Sequence, residues 1–247
     1  MTFGWTNLSA VSCTLSSIGD QTNRPIGSFN QAFFENPNLR SVDFPDLLSV
    51  VGSENFYRFS YQANQTNSLL SSVSFPKLKM IQGSNEFGGA FTRCIHLSSI
   101  EFPELLNLSG TSGSPTFYTA FNECQSLTSV SFPKLSAINA TTTWGNMRQM
   151  CNSTTRMPRW KLYMPAIKVL TFGTANNTNT GFSGNRGMTD IYLNSVSAIT
   201  NNYGFVTCSE LTGIHFGAAN ETAIKATTGY ATLWGRGAGA ATVYFDL

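Results

Sequence analysis

Charge is what this sequence has least of. Asp, Glu, Lys and Arg make up 11% of the 247 residues, and the formal net charge is only +2. So thin a balance builds no basic stripe for a phosphate backbone and no patch for anionic lipid, which excludes nucleic acid as a partner. Histidine is scarcer still, with His96 and His215 the only two. Five cysteines, an odd number with no close pairs, argue against a disulfide framework, and with two histidines they assemble no metal site at ligand spacing. No segment reaches the roughly 18 uninterrupted apolar residues of a membrane helix, which excludes insertion by that route. The start, "MTFGWTNLSA", has neither the charged opening nor the apolar run of a signal peptide. Three readings stay open: a cytosolic protein, one that leaves the cell by another route such as lysis, or a piece of a longer chain. Low charge with abundant Ser, Thr and Asn favours an extracellular, cell-surface or virion-associated protein.

What is plentiful is phenylalanine, 19 in all, within a 41% hydrophobic content that suffices for a continuous core. It recurs in a refrain. "LTSVSFPKLSAI" (127–138) returns as "LSSVSFPKLKMI" from Leu70, "LSSIEFPELLNL" from Leu97 and "LRSVDFPDLLSV" from Leu39. Written L-x-x-V-x-F, the phrase occurs nine times, its sixth position falling at Cys13, Phe44, Phe75, Phe102, Phe132, Met164, Leu193, Phe216 and Phe245. The gaps of 31, 31, 27, 30, 32, 29, 23 and 29 residues are those of a solenoid, propeller or array. Positions four and six are apolar between polar neighbours, the period-2 mark of a short strand buried on one face. Proline at position seven ends that strand, and the following L-x-x-I sets a second apolar pair under the turn. A single coil cannot bury its own apolar face, so stacking must make the core.

A second beat precedes each strand. Cys94, Cys124 and Cys208 stand three residues before their copies, where other copies hold Asn36, Asn67 and Asn185. An aromatic often stands three residues earlier still, at Phe33, Phe91, Phe121, Phe182 and Phe205. A slot that accepts Asn or Cys predicts an inward side chain at a bend, Asn bonding the backbone of neighbouring coils and Cys filling the space as a weakly polar group. Cys13 fills an apolar strand position. Cys151 is out of step, eight residues before Arg159, which predicts a short insertion, "NSTTRMP", in coil six.

"AFTRCIHLSSIEFPEL" (90–105) and "AFNECQSLTSVSFPKL" (120–135) resemble the BspA-like leucine-rich repeats, whose unit carries A-F-x-x-C, then L-x-x-I and a strand-ending proline. The resemblance spans roughly 5–245, with departures at Arg159, Ala240 and Trp5. More loosely, the closing "IHFGAANETAIKATTGYATLWGRGAGAATVYFDL" is similar to the ending of repeat proteins encoded by gut bacteria and their phages. The family implies a β-rich solenoid, a right-handed, curved leucine-rich-repeat coil with a parallel β-sheet and little helix. It also implies an exposed ligand-binding or adhesive role, with no catalysis and no cofactor. The nine copies predict about nine turns in a single domain over 1–247, capped by 1–7 and by a terminal coil over 217–247. "NETAIKATTGY" (220–230) predicts a short helix, N-capped by Asn220, with Glu221 in its first turn and Gly229 at its end.

Catalytic readings are weak. "GRGAGA" (235–240) precedes a strand instead of opening a helix, so it reads as a turn and not as a phosphate loop. Cys94 and His96 suggest a thiol nucleophile, but Cys94 occupies the buried slot and His96 lies in a bend. Asp43 and Glu101 share position five two coils apart, roughly 10 Å at ordinary strand spacing, beyond the separation usual for a glycosidase pair.

The outward positions are more telling. Position three runs Ala10, Ser41, Ser72, Ser99, Ser129, Lys161, Asp190, Gly213, Thr242; position five runs Ser12, Asp43, Ser74, Glu101, Ser131, Tyr163, Tyr192, His215, Tyr244. The first half is small and hydroxylated, and the second turns aromatic. Trp160, Lys161, Tyr163, Asp190, Tyr192, His215 and Tyr244 are therefore the candidate ligand-binding residues, on one exposed face. Cross-strand stacking that only braces the sheet is the competing explanation. Two functions follow. One is a non-enzymatic binding or adhesion module for a surface glycan or protein, a phage host-attachment protein among its forms. The other is a structural spacer or assembly subunit, for example of a virion. The terminal "AATVYFDL" predicts a strand with a free side, hence self-association or docking through the last coil.

Overall fold

The structure is a computed structural model that describes residues 8–19, 26–62, 68–110, 115–140, 147–152, 158–171, 181–236 and 240–246. The anticipated N-terminal cap (1–7), Trp5 and Asn67 lie outside the described residues, as does part of the 235–240 turn. Every copy of the refrain forms a strand. Ala10–Ser12, Ser41–Asp43 and Ser72–Ser74 build a three-stranded parallel sheet; Ser99–Glu101, Ser129–Ser131, Trp160–Tyr163, Met188–Leu193, Gly213–Phe216 and Thr242–Phe245 build a six-stranded one. Together they make one front face of a parallel β-solenoid with little helix. Strands stack in phase, so that Ser41 lies beside Ser72, Lys161 beside Asp190 and Tyr192 beside His215. In the five copies with proline at position seven, the strand stops at position five, as the missing donor requires.

The L-x-x-I segment does more than pack under a turn. It opens a second parallel face: Ser17–Ile18, Ser49–Ser53, Met80–Ser84, Asn107–Gly110 and Ala137–Ala140 in one sheet, Val169–Thr171 and Ala198–Thr200 in another. Where it is described, the third side of the coils before Gly213 is made of chained turns. Along 27–36, the N–H groups of Asn30, Ala32, Phe34 and Asn36 close turns onto Gly27, Phe29, Gln31 and Phe33. The intervening N–H groups of Phe29, Gln31, Phe33 and Glu35 donate instead to Asn55, Tyr57, Phe59 and Tyr61 of the next coil, at 2.7–3.0 Å. Such turns need left-handed backbone at non-glycine residues, φ 56° at Gln31 and 53° at Glu35, a cost of about 1–3 kcal/mol each that the inter-coil ladder offsets.

Phenylalanine fills the interior in columns. Phe44, Phe75, Phe102 and Phe132 stack at 5.2, 5.5 and 5.2 Å, within 11° of parallel. Phe29, Phe56, Phe87 and Phe117 form a second column at 5.4, 4.8 and 5.3 Å. Edge-to-face contacts such as Phe87 on Phe102, 5.9 Å at 82°, lock the columns together. One carboxyl intrudes. Glu86 is fully buried; its Oε2 accepts from the Asn55 N–H at 3.0 Å while Oε1 has no partner. Gly83 makes room for it, since a Cβ there would stand 2.2 Å from Oε1.

The Asn/Cys slot is a buried ladder. The thiols of Cys94, Cys124 and Cys208 donate to the carbonyls of Ser60, Phe91 and Phe182 in the preceding coil, at 3.3, 3.0 and 3.3 Å. Asn185 bonds Met147 O and Phe182 O through Nδ2 and accepts from Cys151 N. Cys151 is in step after all: its thiol donates to Phe121 O at 3.4 Å, and the extra residues fall between it and the strand. Burial pushes the Cys94 and Cys208 thiols up to about 12, and Cys124 and Cys151 well above the ordinary range. These thiols are structural. Cys124→Asn should therefore be tolerated, whereas Cys124→Leu should cost about 1–3 kcal/mol by overpacking. Native-state thiol labelling should be slow at Cys94, Cys124 and Cys208; fast labelling of all three would contradict the ladder.

The C-terminal helix is shorter than 220–230. It covers Glu221–Lys225 after a 3-10 turn, and Gly229, at φ −85°, does not end the helix but leads into Tyr230–Gly235, 3-10 turns broken by a kink with left-handed backbone at Leu233 and Trp234. Asn220 does not cap through its side chain: Nδ2 donates to Asn194 O of the previous coil. The pull of the coil ladder outweighs the local cap.

Candidate functional site

Position five of the last four front strands is one continuous stack. Ring centroids of Tyr163 and Tyr192 lie 4.6 Å apart, Tyr192 and His215 4.4 Å, His215 and Tyr244 4.5 Å, all within 12° of parallel. In-phase parallel pairing at about 4.8 Å dictates this, because equal positions in successive strands project side by side. The faces of the inner rings are consequently used up by their neighbours. What the row offers outward is its edge of hydroxyls and imidazole, with ring faces open only at its ends: Tyr244, 40% exposed, and Tyr163, whose strand partner on the other side is the small Ser131.

A charged chain runs beside the rings. Lys161 Nζ lies 3.6 Å from Asp190 Oδ2 and donates to the Tyr192 hydroxyl at 3.4 Å. The Tyr192 hydroxyl first, then the Asp190 carboxylate, raise the Lys161 ammonium above its ordinary value, while burial raises Tyr163. His215 is flanked on both nitrogens, Nε2 3.4 Å from Asp190 Oδ1 and Nδ1 3.4 Å from Asp246 Oδ1. Thr189 Oγ1 donates to Asp190 Oδ2 at 2.9 Å and fixes that carboxylate. Gly213 is essential to the arrangement: a Cβ there would come 2.3 Å from Asp190 Oδ1 and 2.8 Å from His215 Nε2.

Six of the seven candidates thus come together on the front face: Lys161, Tyr163, Asp190, Tyr192, His215 and Tyr244. Trp160 does not. It is fully buried: the strand register shifts between Trp160 and Lys161, so that Trp160 pairs with Met188 and takes the inward slot that leucine fills at position one of other copies, and its indole Nε1 has no partner among the described residues. The outward reading of Trp160 is corrected accordingly. Asp246 and Gly213 belong to the arrangement although the strand pattern alone does not single them out; the bare Gly at a position otherwise carrying a side chain is the signal for the second. The thiol reading of Cys94 and His96 also dissolves, since Cys94 is buried in the ladder and His96 exposed.

A profile of the BspA type leucine rich repeat region matches residues 12–142 in six copies, more than half of the chain. The chain belongs to the BspA-type leucine-rich repeat family. Its repeats account for the A-F-x-x-C segments, the strand-ending prolines and the parallel stack, and the front strands beyond 142 continue the same register. No curated protein matches the chain in sequence. Among solved structures, a leucine rich cell surface protein from Faecalibacterium prausnitzii A2-165 aligns over 96% of this chain and 87% of its own, with 12% identity and a TM-score of 0.26. At that score it carries no argument about this chain. Among the described residues no helix is long and apolar enough to cross a membrane.

Proposed function

We propose that this BspA-type repeat protein is a non-enzymatic binding and adhesion module, exposed outside the cell or on a virion, that engages a surface glycan or protein. Its contact is the outer edge of the aromatic row with Lys161, Asp190 and Asp246 beside it. The observation that carries this reading is the four-ring stack on a solvent-facing strand face, where no ring serves the core. Aromatics with polar tips are enriched in recognition surfaces, and the charged chain supplies donors and acceptors for hydroxyl or amide groups. The final strand, Thr242–Phe245, pairs on one side only among the described residues, so docking of a larger assembly there belongs to the same reading. A second reading, a spacer without its own ligand, is favoured by one fact: spacings of 4.4–4.6 Å are what bracing alone would produce.

A glycan and cell-surface protein screen of wild type beside Tyr163→Ala/Tyr192→Ala, with thermal melts in parallel, separates the two. The binding reading expects signal for wild type, loss in the variant and an unchanged melting temperature. A lowered melting temperature with no ligand in either protein would put the spacer in its place.

A further inference from the structure

The front face is split in one place. Between Ser72–Ser74 and Ser99–Glu101 the strands do not pair, and the face divides there into its three- and six-stranded sheets. Elsewhere the Phe44 N–H donates to Ser74 O and the Phe102 N–H to Ser131 O, both near 3 Å; the equivalent bond from Phe75 to Glu101 does not form. Likewise Ser72 N donates to Arg40 O and Lys161 N to Thr128 O, but Ser99 N does not reach Ser71 O. The N–H groups of Phe75 and Ser99 and the carbonyls of Ser71 and Glu101 thus lack the inter-coil partners that Phe44, Phe102, Ser72 and Lys161 have, and on this exposed edge they are open to water or to a ligand that takes its place. The spacing of 27 residues from Phe75 to Phe102 is the shortest among the first six copies, and the split falls at that step.

The opening is confined to the surface. Beneath it Phe75 and Phe102 still stack at 5.5 Å, and behind it Met80 pairs with Asn107 in an unbroken second sheet. The coils are therefore clamped, and an inserted strand, which needs about 4.8 Å on each side, does not fit. What remains is a groove of about 280 Å³ with Ser71, Ser72, Ser74, Ser99 and Glu101 around it and Val73 and Ile100 in its floor. That is the size of a small-molecule site at its lower limit. Serine hydroxyls that both donate and accept, matched backbone donors and acceptors, and one carboxylate complement a neutral molecule dense in hydroxyl groups. An anion would meet Glu101, and a hard cation would find only that single carboxylate.

We propose that this split is a binding groove for one neutral sugar residue, held by the orphaned backbone groups of Ser71, Phe75, Ser99 and Glu101, with the Glu101 carboxylate accepting from its hydroxyls. The inference does not rest on the aromatic row, which lies two strands further along the same face. The probes are glucose, galactose, mannose and N-acetylglucosamine, each titrated at millimolar concentration into the isotopically labelled full chain while amide resonances are followed. At least one should shift the Phe75 and Ser99 amides saturably. Glu101→Gln should weaken that binding about tenfold, the loss of a charge-assisted hydrogen bond, with the rest of the spectrum unchanged. Tyr163→Ala/Tyr192→Ala should leave the groove's response intact, so failure of the aromatic row is read separately. No shift with any of the four sugars, equal affinity in Glu101→Gln, or Phe75 and Ser99 amides exchanging as slowly as those of Phe44 and Phe102 would each overturn the proposal.

Discussion

Phe102→Ala should destabilise the protein by about 3–5 kcal/mol, the range for removing a fully buried aromatic. The ring sits between Phe75 and Phe132, stacked on both, and meets Phe87 and Phe117 by its edge. In a solenoid, stability is close to a sum of coil terms and nearest-neighbour interfaces. Truncating Phe102 strikes two interfaces at once, in a column whose neighbours are clamped by backbone ladders on two other sides and cannot collapse into the void. Phe245, the equivalent ring of the last coil, is only half-buried, stacks on Phe216 and otherwise has the Lys225 ammonium 5.5 Å from its centroid. Phe245→Ala should accordingly cost much less. Chemical denaturation of the two variants beside wild type measures both; an equal loss at the two positions would contradict interface additivity along the stack.

The second large effect is a pH dependence centred on Glu86. Burial raises its carboxyl from 4.5 to about 7, against the partial relief of the Asn55 N–H bond. An acid whose folded value lies above its unfolded one binds the proton more tightly in the folded state. Its contribution is fully present below about pH 4.5 and lost as the pH rises through about 7. A shift of that size corresponds to roughly 3 kcal/mol. Glu86→Gln keeps an oxygen for the Asn55 N–H and removes the charge. Wild type should lose stability between pH 4.5 and 8 while Glu86→Gln stays level, so that the variant is the more stable of the two at pH 8, by about 3 kcal/mol. Urea unfolding at the two pH values checks it; a Glu86→Gln protein less stable than wild type at pH 8 would show that the carboxylate is paired in a way the Oε1 environment does not suggest.

The front strands were legible because their signal repeats: L-x-x-V-x-F states the same inward parity nine times, and in-phase stacking then lets position five be read as a row across coils. The Tyr163–Tyr192–His215–Tyr244 stack follows from that arithmetic alone. Trp160 shows the limit of the reading, since aromatic character drew it into the row whereas a register shift in coil six moves it into the inward slot of the first-position leucines. The second face was hidden because L-x-x-I after proline has the spacing of a turn, and two- to five-residue strands leave too short a trace to show alternation. The chained-turn side was hidden for a different reason. Its order lies in left-handed φ values at residues as unlike as Gln31, Glu54, Arg93 and Thr119, and its partners are backbone atoms a coil away. Asp246 and Gly213 acquire meaning only through His215, a neighbour in space across strands. The split at Ser72–Ser99 left one faint mark, a coil four residues shorter than the ones before it.

The role of the aromatic row is tested most directly by the binding of Tyr192→Phe beside Tyr192→Ala, each on the same glycan and protein arrays and each with a thermal melt. Phenylalanine keeps the ring in the stack and removes only the hydroxyl tip that Lys161 donates to. Because the ring faces are occupied, a ligand must touch edges, so Tyr192→Phe should lose binding at an unchanged melting temperature. Binding retained in Tyr192→Phe, with a lowered melting temperature in Tyr192→Ala, would mean that the row braces the sheet and the binding face lies elsewhere.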